Sequence, residues 1–292
     1  MKKDTSVEAF TVNAFTHKGR GGNPAGVVLA GGELCDKSKL KIADSLGYSE
    51  TAFIQPYSDN YHNIRFFTPV AEVDLCGHAT IASYSLMLNL GLISSGDFQM
   101  ECRAGLLPIQ VKDNGLVVMD QTLPKFDEIL EPSEVLPTIG LGEAAIGEGR
   151  PIQVVSTGLR KILCPIPTKK ALEELTPHRE AIKALSRQYG VTGIYCFTLE
   201  AEQPILCRNF APLVGINEDN ATGTSVAALC CYLYHHGLRK AGDFPQGFLQ
   251  GGPKLEPGYL EGCLKISDCQ ISQVQVAGHS TVMGKKKFEG AV

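Results

Sequence analysis

The sequence predicts an α+β protein of two pseudo-symmetric lobes, each a mixed β-sheet rolled, barrel-like, around one central buried α-helix. Three observations lead there. Two helix-length runs, ATIASYSLMLNL over residues 79–90 and SVAALCCYLY over residues 225–234, are apolar on nearly every face, and a helix without a polar stripe has to be surrounded by protein or lipid. Both are too short to span a bilayer, so each is expected inside a wrapped sheet. The same pattern also precedes each run: Arg65-Phe66-Phe67-Thr68-Pro69 before the first, Arg208-Asn209-Phe210-Ala211-Pro212 before the second, each followed by a polar, glycine-containing loop. Strand, loop and buried helix repeated over such a distance is a duplication of lobes rather than a solenoid repeat, and 292 residues suffice for two domains.

Along the chain, AFTVNAF (residues 9–15) reads as a strand, GRGGNP (19–24) as a loop and residues 25–30 as a second strand. Asp36 is expected to N-cap a helix over residues 37–46 that Gly47 stops in the left-handed conformation. SETAFIQP is the next strand, IRFFTP (64–69) a strand ended by proline, and residues 74–78 a loop that opens the first buried helix, closed at Gly91. Residues 121–151 are rich in proline and glycine, which places a linker at their front, near Pro124. KKALEEL and REAIKALSRQYG, within residues 167–190, read as surface helix, and residues 270–282 alternate as a strand that is expected to return to the first lobe. The predicted domains are residues 1–124, joined by 278–292 through that return, and residues 125–277.

Hydrophobic residues at 43%, charged residues at 20% and a mean hydropathy of zero describe an ordinary globular chain. Lys and Arg total 27 against 31 Asp and Glu, a net charge of −4, so no basic field favours nucleic acid or an anionic membrane as partner. Ten cysteines accompany no tryptophan. The start MKKDTSVEAFTVNAF holds no apolar signal-peptide stretch, and Cys164, Cys196, Cys230 and Cys231 lie in apolar contexts where free cysteine behaves as a small buried hydrophobe. A reducing, cytoplasmic location is expected. No CxxC pair occurs, so no metal site is predicted. The Gly19-Arg20-Gly21-Gly22 stretch lacks GxGxxG spacing and a following helix, and no GxxxxGK[ST] occurs, so no nucleotide or flavin cofactor is implied.

The start of each buried helix offers free backbone N–H groups and the positive end of a helix dipole. Gly77-His78 and Gly223-Thr224 are therefore natural holders of an anion, such as a substrate carboxylate; the alternative is that these residues only begin and cap their helices. If the lobes are related by an approximate twofold, the two junctions face one cleft. Glu50 shares the strand phase of Ala52 and Ile54, so its carboxylate is expected on the apolar side, where it has reason to exchange protons; the alternative is an exposed group at a fraying strand end. His78 stands where a helix start disfavours positive charge, as a neutral donor or acceptor or as a capping histidine. Asp219 is either a site acid or a turn residue.

The segments VNAFTHKGRGGNPAGVVL, GYSETAFI, RFFTPVAEVDLCGHAT and NEDNATGTSVAAL resemble, in order and spacing, the four signature stretches of the PhzF family, the phenazine-biosynthesis-like isomerases. The similarity runs through most of the chain. It implies a diaminopimelate epimerase-like fold with the active site between the lobes, a cofactor-independent activity and a homodimer. It further implies that Glu50 is the general acid/base that moves a proton between carbons of a small cyclic amino acid. By the same resemblance His78 and Asp219 are its polar partners, Gly77, Gly223 and Thr224 form the carboxylate cradle, and Asn23 lies near the cleft. The chain departs from the family pattern at Asn220, where proline is usual, at Thr224-Ser225, at Cys76, where alanine is frequent, and in the stretch from Gln250 to Pro257, which lacks an arginine.

Three functions follow from these readings. The leading one is an isomerase that shifts a double bond on a small cyclic or amino carboxylate. The second is an amino-acid epimerase with Cys76 as one acid/base and Asp219 or Glu50 as the other. A two-thiol racemase needs a cysteine on each side, and residues 218–225 contain none, so Cys76 is read as packing or as support behind the reacting groups. The third is a non-catalytic protein that binds a small carboxylate.

Overall fold

Alternation in VEAFTVNA buries Val7, Ala9, Val12 and Ala14, and this segment, Val7–Ala14, is the strand on which the first of two units is assembled. In the computed structural model, which describes residues 6–142, 150–200, 203–254 and 256–289, the chain divides into one unit of residues 1–120 with 277–292 and another of residues 121–276. Residues 143–149 of the predicted linker, like residues 1–5, lie outside the described residues. The fold is mixed and sheet-rich. Among the described residues no helix is long and apolar enough to cross a membrane.

In the first unit Val7–Ala14 pairs antiparallel with Asn23–Val28 on one side and with Ser280–Phe288 on the other. Asn23–Val28 runs parallel to Thr51–Ser58, which pairs antiparallel with Tyr61–Phe67; beyond lie Gly96–Cys102, Gly105–Val111 and Val117–Gln121. Helix Gly77–Asn89 carries no charged residue and buries Ala79 through Tyr84, Leu86 and Met87. It packs against the strands of Val7, Asn23, Thr51 and Ser280. Two of its hydroxyls are satisfied inside the helix: Thr80 Oγ1 donates to the Cys76 carbonyl at 2.8 Å and Ser83 Oγ to that of Ala79 at 2.7 Å. Buried aliphatic residues such as Ile81 and Leu86 each contribute about 1.5–3 kcal/mol.

The second unit orders Lys125–Leu130, Ile152–Ser156, Arg160–Pro165, Ile194–Thr198, Ile205–Ala211, Gln246–Gln250 and Gly258–Ser267 side by side. Ile216–Asp219 adds antiparallel to Ile205–Ala211. Helix Gly223–His235 buries every residue from Ser225 to Leu233 and packs on the strands of Ile152, Arg160 and Gly258. The amphipathic helix Arg179–Tyr189 turns Ile182 and Leu185 into a core with Val154, Ile162 and Phe210, and Gly190 ends it in the left-handed region at φ 59°.

Two local expectations change. Asp36 is not the N-cap of the first helix; Cys35 holds that position, the helix is Asp36–Leu46, and the Asp36 carboxylate instead takes Nη1 of Arg65 at 2.6 Å. A good partner across the surface outweighs a local capping bond. The tail is two strands rather than one, Gln270–Gly278 and Ser280–Phe288, interrupted at His279, whose carbonyl accepts from the Thr16 N–H at 2.9 Å.

All ten cysteines are free, and seven are buried, leaving Cys35 and Cys269 exposed and Cys263 between. Burial pushes the Cys207 and Cys231 thiols up to about 12. The folded chain therefore keeps thiol protons that the unfolded chain releases above its ordinary thiol value of 9.0, so stability is fully present below pH 9 and lost as pH rises toward 12. A disulfide reagent applied to native protein is expected to modify Cys35 and Cys269 rapidly, Cys263 more slowly and the rest only on unfolding. Denaturant midpoints measured across the same pH range are expected to fall together with that protection.

Candidate active site

Both buried helices begin the same way. Gly77 and Gly223 are their first residues, Cys76 and Thr222 are the N-cap residues in extended conformation, and neither side chain caps its own helix. The preceding loops are instead pinned by an ion pair. Arg65 grips Glu72 through Nε and Nη2, both at 2.7 Å; Arg208 grips Glu218 through the same atoms at 2.7 and 2.9 Å. Each guanidinium also lies over the phenylalanine two residues on, Phe67 at 5.1 Å and Phe210 at 4.9 Å. Arg208 goes further, with Nη1 donating to the carbonyls of Leu172, Glu173 and Leu175 at 3.0, 3.3 and 3.2 Å. Gly252 makes room for this pair, because a Cβ there would stand 2.7 Å from Glu218 Oε1. Bidentate, partly buried pairs of this kind are the strong ones.

In the first unit Glu50, Cys76 and His78 converge, their donor atoms all within 4.8 Å of one another. Glu50 sits just ahead of strand Thr51–Ser58, and its carbonyl accepts from the Gly26 N–H at 3.1 Å. Strand phase does not by itself orient it. Thr51 and Phe53 are as buried as Ala52 and Ile54, so this strand has two covered faces and alternation carries no distinction; the contacts of Glu50 place it. Its Oε2 lies 3.6 Å from His78 Nε2, with the Glu50 side chain 22% exposed and that of His78 10%. His78 Nε2 is buried and has no hydrogen-bond partner.

On the other side of the ring, His78 Nδ1 is 3.2 Å from Cys76 Sγ. Burial, reinforced by the Glu50 charge, holds the Cys76 thiol well above its ordinary range, so the sulfur keeps its proton, with Glu50 and His78 Nδ1 both in reach as acceptors. With Nδ1 as the acceptor, the neutral ring carries its proton on Nε2, facing Glu50. The same three residues are of metal-ligand type, and their donor atoms lie close enough together to share one ion. Asn23 opens the strand that contains Gly26 and is partly buried, opposite Ala14. Gly77 leaves space: a Cβ there would meet nothing within 4 Å.

In the second unit Asp219 ends strand Ile216–Asp219, paired in register with Asn209. Its Oδ2 accepts a short hydrogen bond from Thr222 Oγ1, and its carbonyl accepts from Gln250 Nε2 at 2.7 Å. Gly223 and Thr224 open the helix, and the Thr224 carbonyl accepts from Thr157 Oγ1 at 3.0 Å. The Asn220 carbonyl takes the Gly258 N–H at 3.1 Å. Sequence reasoning missed the two arginine–glutamate clamps and Gln250, which is fully buried. The repeated spacing from Glu72 to Gly77 and from Glu218 to Gly223 was the available signal for the clamps.

Residues 12–286 match the profile of the PhzC-PhzF family, described as phenazine biosynthesis-like protein. An uncharacterized isomerase of Clostridium acetobutylicum is 31% identical over 97% of this chain and 96% of its own length. The trans-2,3-dihydro-3-hydroxyanthranilate isomerase of Pseudomonas fluorescens is 27% identical over 94% of this chain and 96% of its own. The crystal structure of a Bacillus anthracis phenazine biosynthesis protein of the PhzF family superposes with a TM-score of 0.84 at 26% identity, covering 97% of this chain and 99% of that one.

The Arg65–Glu72 clamp makes the first helix start sensitive to acid. Arg65 holds the Glu72 carboxyl below the usual carboxylate range, so its contribution is present above the ordinary glutamate value and lost as pH falls through the lowered one. Glu72→Gln is expected to flatten the acid limb of the stability profile. Arg208→Met, which strands Glu218, is expected to cost about 3 kcal/mol or more in urea denaturation, and the equivalent change at the more exposed Arg65 less.

Proposed function

The chain belongs to the phenazine biosynthesis-like (PhzC-PhzF) family and is an isomerase, and from that premise we propose that Glu50 is its general acid/base. Glu50 takes a proton from one carbon of a small cyclic or amino carboxylate and returns it to another, so that a double bond shifts and the atoms of the substrate are conserved. The observation that carries this reading is His78 Nε2, a buried polar atom without a hydrogen-bond partner, 3.6 Å from Glu50 Oε2. A buried donor left unpaired is costly, and a polar substrate atom approaching from the side, within reach of both groups, supplies the missing acceptor. His78 then orients the substrate, and the backbone N–H groups at Gly77-His78 hold its carboxylate at the positive end of the helix. Asp219, Gly223 and Thr224 are assigned to the ligand by the same argument at the second helix start. The reading treats the two units as duplicated lobes, supported by their matching clamps, N-cap residues and buried helices. It calls on side chains alone for the proton transfer.

The relative from Pseudomonas fluorescens makes trans-2,3-dihydro-3-hydroxyanthranilate the first substrate to assay, beside a panel of cyclic and acyclic amino acids. Turnover in deuterium oxide, followed by NMR, is expected to place solvent deuterium on a product carbon. Glu50→Gln is expected to abolish that incorporation while substrate still binds; undiminished incorporation would remove Glu50 from the role. Cys76→Ala is expected to slow turnover by about tenfold, the weight of roughly 1.4 kcal/mol, because it loosens the His78 tautomer without removing the acid/base. Complete loss in Cys76→Ala would favour the epimerase reading, in which the thiol itself exchanges the proton.

Gly77→Ala separates substrate space from fold. Its Cβ meets no protein atom within 4 Å, and alanine is the better helix former by up to about 1 kcal/mol. Thermal stability is expected to hold or rise while substrate affinity falls. Unchanged affinity would show that no ligand approaches that helix start.

A further inference from the structure

Lys161 is a charged side chain in the interior, 3% exposed on strand Arg160–Pro165, and nothing in the proton transfer described above uses it. Its Nζ donates to Asn209 Oδ1 at 3.0 Å. An ammonium only donates, so this bond fixes the orientation of the Asn209 amide, whose Nδ2 then donates to Thr222 Oγ1 at 2.7 Å. Gln250 is fixed in the same manner. Its Oε1 accepts from the Thr222 backbone N–H at 3.2 Å and from the Tyr195 hydroxyl at 3.0 Å, which turns Nε2 toward Thr222 Oγ1 at 3.0 Å. The Thr222 hydroxyl thus accepts from two amides, filling both lone pairs, and its one proton has to go to Asp219 Oδ2.

The chain of donors runs in one direction, from Lys161 through Asn209 and Thr222 to Asp219. We propose that Lys161 is a positioning residue that acts through Asn209 and Thr222 to lock Asp219 Oδ2 as a hydrogen-bond acceptor, so that any proton Asp219 exchanges is confined to Oδ1. The proposal rests on the reading that Asp219 serves the ligand, and it gives that aspartate a defined face. Without the lysine, the amide of Asn209 is free to turn and the hydroxyl of Thr222 is free to point elsewhere.

The electrostatics agree with the geometry. Burial lowers Lys161 to about 8, and the negative charge of Asp219 opposes that shift. Of the other titratable groups around Asp219 and Gln250, Tyr195, Cys207 and Cys230 are all held neutral by burial. Asp219 therefore supplies the charge that acts on Lys161.

The test reads the native lysine directly, by the carbon-13 shift of the Lys161 side chain during a pH titration of the full chain. A midpoint near 8 is expected in the wild type. Asp219→Asn, which removes the opposite charge, is expected to lower it by on the order of one unit, and Thr222→Val, which cuts the chain and leaves both charges, to lower it by less. A midpoint in the ordinary lysine range, or one that Asp219→Asn leaves in place, would overturn the proposal. This readout needs no turnover, so it stands or falls separately from the role of Glu50. Where turnover is observed, Lys161→Met is expected to move the pH profile of deuterium incorporation; a lysine that only stabilised the fold would change the amount of native protein and leave the profile unmoved.

Discussion

Everything at the candidate site depends on how a loop is held where it meets the start of a buried helix. The side chains at the two N-cap positions, Cys76 and Thr222, do not cap their helices. The chain is held instead by an arginine on the preceding strand, Arg65 or Arg208, closing on a glutamate of the short strand that pairs with it, Glu72 or Glu218. A planar fork meeting a carboxylate fixes direction as well as distance. The Arg208 pair is the more buried of the two, and its remaining donors hold the carbonyls at the end of helix Lys169–Glu173. Because the clamp carries the loop, the N-cap side chain is left with other work.

Burying a helix on all sides restricts where polarity can remain. Along Gly77–Asn89 Thr80 and Ser83 return their hydroxyl protons to carbonyls one turn back, and along Gly223–His235 the buried run from Ser225 to Leu233 is mostly apolar. The unused backbone donors are then at the first turn, as for any helix, and no side chain caps them. A small anion is the ligand that such a place accommodates. The open space at Gly77 and the unpaired His78 Nε2 are two features of this helix start that fold stability alone does not explain.

Much of this was legible in the sequence. Helices apolar on every face announced themselves, and the segments around Glu50, His78 and Asp219 carried their motif with them. What failed did so for physical reasons. Asp36 has the residue type of an N-cap, but Arg65, distant in sequence, offered its carboxylate a stronger partner. Alternation about Glu50 assumed one wet face, whereas Thr51 and Phe53 are covered too. Lys161, Asn209, Thr222 and Gln250 come from four separate segments, and no local pattern marks residues that meet only after the strands pair.

Cys76 and Thr222 occupy equivalent positions, each immediately before the first residue of its helix, and each faces inward with one proton to give. The thiol, kept protonated by burial and by the nearby carboxylate, stands beside His78 Nδ1, and donation to that nitrogen leaves the ring proton on the one that faces Glu50. The hydroxyl, its lone pairs filled by Asn209 and Gln250, gives its proton to Asp219. A cysteine suits the first place because a buried thiol is a weak donor that leaves the histidine a base on that side, and a threonine suits the second because an alcohol makes the shorter, stronger bond a carboxylate favours. On the proposed reading, the cysteine that invites comparison with a thiol-based epimerase has the same duty as its threonine counterpart, and the difference in residue type follows from what each has to hold.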